Sequence, residues 1–241
     1  MNKLNIYKTK TINFLRKYSL NIFMAIVAIN SYSISSTLKE NRNILNENVT
    51  KFTQEQVDEL NSTIKTTEEA LQWVSDNLHP KVAKASSFGA EDAVVMDIML
   101  KINPNFRFFT LDTGRLPQET YDIMDIVRKK YNISIEVLFP DTKEVEEMVK
   151  EKGLNLFYES VDNRKLCCEI RKVHPMNKML NTLDGWITGL RRDQTKNRED
   201  VKIFQLDHGY GEILKINPIV DWTWEQIQEY IKKNNLPYNS L

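Results

Sequence analysis

Cys167 and Cys168 are the two cysteines of the chain. They are neighbours in the run Arg164-Lys165-Leu166-Cys167-Cys168-Glu169-Ile170-Arg171-Lys172. Adjacent cysteines bridge each other only with strain and nothing else is available to pair, so a disulfide scaffold is excluded and a reducing compartment fits. Free cysteines are often inert packing residues. Here Arg164, Lys165, Arg171, Lys172 and His174 surround them, and positive charge favours the thiolate, the form that binds metal. An iron–sulfur cluster usually takes four thiolates. Two must then come from elsewhere.

Three further segments carry chemistry. In Ser86-Ser87-Phe88-Gly89-Ala90-Glu91-Asp92, small hydroxyl residues and a glycine before a helix leave N–H groups free for phosphate or sulfate oxygens. It is not a Walker loop, because the Gly-Lys-Ser/Thr ending is missing, and an ordinary strand-to-helix turn with Ser87 as cap reads equally well. Asp112-Thr113-Gly114-Arg115 offers a carboxylate for a ribose hydroxyl or adenine amine and a glycine for close approach. It also reads as a tight turn before a helix begun by Pro117. Gly189-Leu190-Arg191-Arg192-Asp193-Gln194 places paired arginines where they could grip an oxyanion in bidentate fashion, against a solvated charge run. His208, in an acidic glycine-flanked loop, reads as solvated, His79 beside Pro80 as structural, and Trp222 and Trp224 as packing before a helix with Ile227 and Ile231 inward.

These segments need elements to hold them. Thr53 and Thr66 or Thr67 can cap two lead-in helices. Short apolar strands are expected at 81–86, 106–111, 133–139 and 186–189, with helical spacing after residue 92, over 118–131 and over 145–152. Strands alternating with helices mean βαβ units and a parallel sheet, whose ligands bind beyond the carboxyl ends of the strands. Each loop named above lies at such an end.

Lys+Arg and Asp+Glu both number 33, so net charge points to neither nucleic acid nor anionic membrane. Residues 1–50 differ from the rest: five basic residues precede an apolar run at 22–29, then Asn- and Ser-rich chain, with no acid before Glu40. That is the polarity of a targeting leader, although Met24 could be the start, and the run is shorter than the ~20 residues of a membrane span. The expected division is a leader-like, disordered extension over 1–50 and one domain over 51–241.

Taken together, the ordered blocks resemble one family, the thioredoxin-dependent sulfonucleotide reductases, relatives of the ATP pyrophosphatases with a modified phosphate loop. The blocks are Ser86 to Asp92, Leu111-Asp112-Thr113-Gly114-Arg115-Leu116-Pro117, Lys152-Gly153-Leu154-Asn155, Cys167-Cys168 through Arg171-Lys172-Val173, Gly189 to Gln194, and Lys215-Ile216-Asn217-Pro218 leading to Asp221-Trp222-Thr223. The resemblance covers 57–241. It implies an α/β fold with a parallel sheet and helices on both faces, adenine nucleotide alpha hydrolase-like. The tandem cysteines resemble the branch with a [4Fe–4S] cluster, which takes adenosine 5′-phosphosulfate instead of its 3′-phosphorylated form. Cys167 and Cys168 are then cluster ligands, with Lys172 between cluster and substrate as the catalytic cation. Ser86, Ser87, Phe88, Gly89, Leu111, Asp112, Gly114 and Arg191 line the nucleotide pocket.

The implied activity is reductive cleavage of adenosine 5′-phosphosulfate to sulfite and AMP, with thioredoxin as electron donor, in sulfate assimilation and cysteine biosynthesis. A cytoplasmic setting is implied, with an organelle reached through the basic leader as the alternative; a homo-oligomer is left open. Members of the family continue past Pro237-Tyr238-Asn239 to a Cys-x-x-Cys pair and a Glu-Cys-Gly segment whose cysteine attacks the substrate sulfur. This sequence ends at Leu241 with neither, so the expectation is a chain that forms no sulfite by itself. The competing readings are a phosphoadenylyl-sulfate reductase, an inactive nucleotide-binding fragment, and an ATP-pyrophosphatase-type enzyme, whose glycine-richer loop matches least.

Overall fold

The computed structural model describes residues 52–195 and 198–240. The leader-like segment expected over 1–50 lies outside them. Two helices open the described chain, α1 (Gln54–Thr63) and α2 (Thr67–Asn77). Each begins with a capping box, Thr53 with Gln56 and Thr66 with Glu69, in which side chain and backbone satisfy one another's orphan donors. Of the two candidate caps for α2, Thr66 is the one used.

The sheet follows: β1 (Val82–Ala85), α3 (Ala90–Ile102), β2 (Arg107–Leu111), α4 (Gln118–Tyr131), β3 (Glu136–Leu138) and α5 (Thr142–Lys152). Next come α6 (Val161–Cys168), a five-residue π turn (Glu169–Val173) and α7 (His174–Leu180) as one continuous run. The chain then adds β4 (Gly185–Ile187), β5 (Phe204–Asp207), β6 (Ile213–Ile216) and α8 (Trp224–Asn234). Its six-stranded sheet runs β3-β2-β1-β4-β6-β5. All pairings are parallel except β5 with β6. The four expected strands are present within a few residues; the antiparallel β5 and the strand β6 go beyond the sequence expectation.

Helices cover both faces, and consecutive strand residues show why. Val82, Phe108, Ile187 and Leu214 enter the larger core with α2, α3, α4 and α8. Their neighbours Ala83, Phe109, Trp186 and Ile213 enter a second core with Met176, Met179 and Leu180 of α7. Period-two alternation with apolar side chains on both sides is what a doubly covered parallel sheet requires. Phe108 and Phe109 are 1% and 0% exposed, so each stabilises the fold by about 1.5–3 kcal/mol. No described helix is long and apolar enough to cross a membrane.

The strand order has a functional consequence. From β1 the chain moves outward through β2 and β3, then returns to place β4 on the other side of β1. The reversal between β1 and β4 opens a crevice beyond their carboxyl ends, the usual ligand position in such sheets.

Candidate functional site

A cleft of about 1020 Å³ occupies that crevice. Ser86, Ser87 and Gly89 form its wall after β1, Leu111, Thr113 and Leu116 after β2, and Thr188, Gly189 and Leu190 after β4; Phe109, Met176, Trp186, Lys172 and Lys215 complete the lining. Volume and mostly apolar lining suit a nucleotide-sized ligand.

The loop after β1 is organised from below by charge. Lys84, the middle of β1, is fully buried, and its ammonium contacts the Ala85 carbonyl and the Asp92 carboxylate. The other Asp92 oxygen accepts the Ser87 N–H at 2.6 Å and the Ser87 hydroxyl at 2.9 Å. This differs from the sequence expectation in which Ser87 leaves its N–H for an incoming oxyanion or caps α3. The N-cap of α3 is Gly89, with no side-chain cap. Asp92 folds back from the first turn instead and claims Ser87. Gly189 seals this arrangement: a Cβ there would meet Asp92 Oδ1 at 2.9 Å and Glu91 Cβ at 3.1 Å, so only glycine permits the approach.

Phe88 is not a cleft residue. Its backbone is left-handed at φ 63°, its N–H donates to Ser86 Oγ at 3.1 Å, and its ring is 2% exposed in the larger core. Such a conformation is an outlier for a bulky residue. It is held by what lies on either side: the buried ring, and the Phe88 carbonyl, which accepts the Asn239 N–H at 2.6 Å. Asn239 also donates from its amide to Thr120 Oγ1 at 3.0 Å and lines the cleft. The segment after α8 thus returns to the mouth.

Asp112 and Gly114 also lie behind the cleft surface. The Asp112 carboxylate accepts the Gly114 N–H at 2.7 Å and the Tyr121 hydroxyl at 3.0 Å. That is the turn alternative of the sequence reading, with Gly114 at φ 69° as the residue that needs it.

Arg191 differs most from expectation. Its guanidinium is 5% exposed and committed: it donates to Glu91 Oε1 at 3.0 Å and to the Trp222 carbonyl at 3.3 Å, and pairs with Asp193. Trp224 packs under it, 5.6 Å from ring centroid to guanidinium carbon. Two carboxylates on one buried cation leave no bidentate face for an oxyanion, and Arg191 does not line the cleft. Arg192 likewise pairs with Asp221. Trp222 packs as expected, its indole N–H on Thr67 Oγ1, whereas Trp224 is 45% exposed. His208 is exposed and His79 Nε2 lies 3.0 Å from the Asn105 carbonyl, as read from the sequence.

The thiols sit at the end of α6, where the helix widens into the π turn. Within that turn Ile170 joins the small core of Met148 and Leu156, which Cys167 also packs against. Arg171, 7% exposed, reaches the Thr113 carbonyl at 2.6 Å and ties the turn to the loop after β2. Lys172 points into the cleft and has no hydrogen-bond or ionic partner among the described residues. Such π turns recur at functional sites because they redirect side chains within a helix. Cys168 is exposed and within electrostatic reach of Tyr210, whose hydroxyl is held above its ordinary value by burial, then by Asp207 and Cys168. Among the described residues no group of three or more His, Cys, Asp or Glu could hold a metal ion. The residues present therefore do not fit a complete four-thiolate cluster site.

His174 follows the turn and braces it. Its Nδ1 lies 2.8 Å from Glu144 of α5 and its Nε2 3.7 Å from Glu169. The Glu144 hydrogen bond raises His174 above the ordinary 6.5 against slight burial, with the charges of Glu144 and Glu169 adding to it. A raised folded-state value means stabilisation that is full below about 6.5 and lost as pH climbs through the raised value. We expect thermal melts to show that loss, and Glu144→Gln to flatten it. Identical pH slopes in the two proteins would rule out the brace.

A doubly covered parallel sheet with a cleft at its switch point, a small-residue loop and an apolar wall defines an α/β domain of the adenine nucleotide alpha hydrolase-like fold. Solved structures agree on that class: a Candida glabrata FMN adenylyltransferase superposes with a TM-score of 0.50 at 11% identity, over 82% of this chain and 64% of that one. A phosphoadenylyl-sulfate reductase from Candida auris, in its phosphate complex, superposes with a TM-score of 0.68 at 26% identity, over 79% of this chain and 91% of that one. Residues 81–241 match the phosphoadenosine phosphosulfate reductase domain, and the chain belongs to that family. It is 38% identical over 174 residues to adenosine 5′-phosphosulfate reductase 2 of Bacillus subtilis, covering 72% of each. It is 44% identical over 158 residues to the adenosine 5′-phosphosulfate reductase of Pseudomonas aeruginosa, covering 64% of this chain and 58% of that protein. The chain thus spans between 58% and 72% of the length of these two relatives.

Proposed function

We propose that this chain binds adenosine 5′-phosphosulfate in the cleft and presents it for reductive cleavage to sulfite and AMP, as part of sulfate assimilation and cysteine biosynthesis in the cytoplasm. The observation that carries the reading is Lys172: a bare ammonium in the wall of a nucleotide-sized cleft, on the turn that follows two adjacent thiols. Ser86, Ser87, Gly89 and Leu111 would bound the nucleoside, with Gly189 opposite. In the reaction a thiolate attacks the substrate sulfur, forming an S–S bond and breaking the S–O bond to AMP. Negative charge grows on the departing phosphate, and an ammonium already in place stabilises it without reorganisation. The attacking thiol comes from a cysteine other than this pair, and the dithiol of thioredoxin then releases sulfite by attack on the S–S bond. A [4Fe–4S] cluster would take Cys167 and Cys168 together with two thiolates from outside the described residues. No step above is routed through it.

The testing experiment is calorimetric titration with adenosine 5′-phosphosulfate and with its 3′-phosphorylated form. Tighter binding of the first is expected. Preference for the second would make the protein a phosphoadenylyl-sulfate reductase, and binding of neither would overturn the reading.

A further inference from the structure

The cleft lining holds two cations besides Lys172, Arg198 and Lys215, and Lys215 sits on an aromatic floor. Parallel pairing of β4 with β6 places Trp186 and Lys215 directly opposite each other. Lys215 Nζ lies 5.0 Å from the centre of the Trp186 ring, and both residues line the cleft. Among the described residues the ionic partner of Lys215 is Asp207, at 3.4 Å. That exceeds the roughly 2.7–2.9 Å of a charge-assisted hydrogen bond, and an ammonium has three donors to place. Among the described residues the indole N–H of Trp186 has no hydrogen-bond partner, although the residue is only 9% exposed. Buried polar groups are nearly always satisfied, so an orphan in a cleft wall marks a place for a ligand atom.

The acids of the same cleft do not oppose an anion there. Glu91 is taken by Arg191 and Gln194, and Asp92 by Lys84 and Ser87. Tyr210 packs edge-on against Trp186 at 6.0 Å and feels Cys168, which puts this wall on the thiol side of the site.

We propose that Lys215 and Trp186 form the seat of the terminal sulfonate of the nucleotide, the ammonium and the indole N–H donating to its oxygens. Lys172 is left for the bridging phosphate. This rests on the function proposed above. It makes Lys215 a specificity residue: it recognises the group that distinguishes the substrate from the product AMP. Above the second phosphate ionisation, at about 6, AMP and adenosine 5′-phosphosulfate carry the same net charge. A comparison of the two therefore reads where the charge lies, and not how much there is.

The test is calorimetric titration of the chain and its variants with both nucleotides at mildly alkaline pH. Lys215→Met should weaken adenosine 5′-phosphosulfate about tenfold or more, the loss of one charge-assisted hydrogen bond, and leave AMP unchanged. Trp186→Phe, which keeps the ring and removes the donor, should weaken the same nucleotide by less. Lys215→Arg, which keeps the charge, should restore the preference and show that the fold survives substitution at this position. Equal losses for both nucleotides in Lys215→Met, or no loss for either, would overturn the seat while leaving the proposed function standing. Failure of the unmodified chain to bind either nucleotide would overturn both.

Discussion

Replacing Asp92 with asparagine is expected to destabilise the protein by about 3–5 kcal/mol, the usual cost of removing one partner from a buried ion pair. Lys84 is fully buried, and beyond Asp92 its ammonium has only the Ala85 carbonyl among the described residues. Without the carboxylate the cation is stranded inside a central strand, where it must be desolvated unpaired or lose its proton. The Ser87 N–H and hydroxyl lose their acceptor in the same step, so the loop after β1 should loosen as the core weakens. Urea unfolding of Asp92→Asn, Lys84→Met and the double variant Lys84→Met/Asp92→Leu measures this. The double variant should recover most of the loss, because two apolar side chains replace a pair whose desolvation largely cancels its attraction. A single Asp92→Asn variant within about 1 kcal/mol of the parent, below what even one unsatisfied buried charge costs, would show that water reaches Lys84.

Lys172→Ala should behave in the opposite way. The side chain is exposed and makes no ionic contact among the described residues, so unfolding should be unchanged within the ±0.5 kcal/mol typical of surface substitutions. With the chain extended through the attacking cysteine, sulfite release should fall by about 10²–10³, the worth of one preorganised donor aimed at developing charge. The loss should appear in kcat more than in the affinity for adenosine 5′-phosphosulfate, because the phosphate gains its second charge only as the S–O bond breaks. A loss confined to KM would mean that Lys172 grips the ground state and contributes nothing specific to the transition state.

The two variants separate what was legible in the sequence from what was not. Local signals carried well. The caps at Thr53 and Thr66 lie within three residues of their partners, and β1, β2 and β4 announce themselves as short apolar runs beside glycine or serine. The tandem thiols and Lys172 stand out by charge and type alone. What failed was pairing at a distance. Arg191 reads as a free anion clamp until Glu91, 100 residues away, is found on it. Phe88, Asp112 and Gly114 read as pocket residues because they belong to the right loops, yet a left-handed backbone turns one into the core and a local turn absorbs the other two. Strand β5 escaped notice because most of it is only half-buried and polar residues alternate through Phe204-Gln205-Leu206-Asp207, the pattern of an edge. Lys84 had a readable sign: a lysine inside a buried parallel strand needs an anion, and the first turn of the next helix supplies one eight residues on.

The π turn at Glu169–Val173 also bears on inheritance. A π turn holds one residue more than the α-helical turn it replaces, so a single inserted codon within a helix is enough to make one. The wider turn absorbs the extra residue, which in an unbroken α-helix would rotate everything after it by about 100°, the angle of one helical residue. Here the helix before the turn carries the thiols, and Lys172 lies within the turn itself. A lineage could thus acquire or lose the cation of the cleft in one genetic step, with the cysteine pair left where it was.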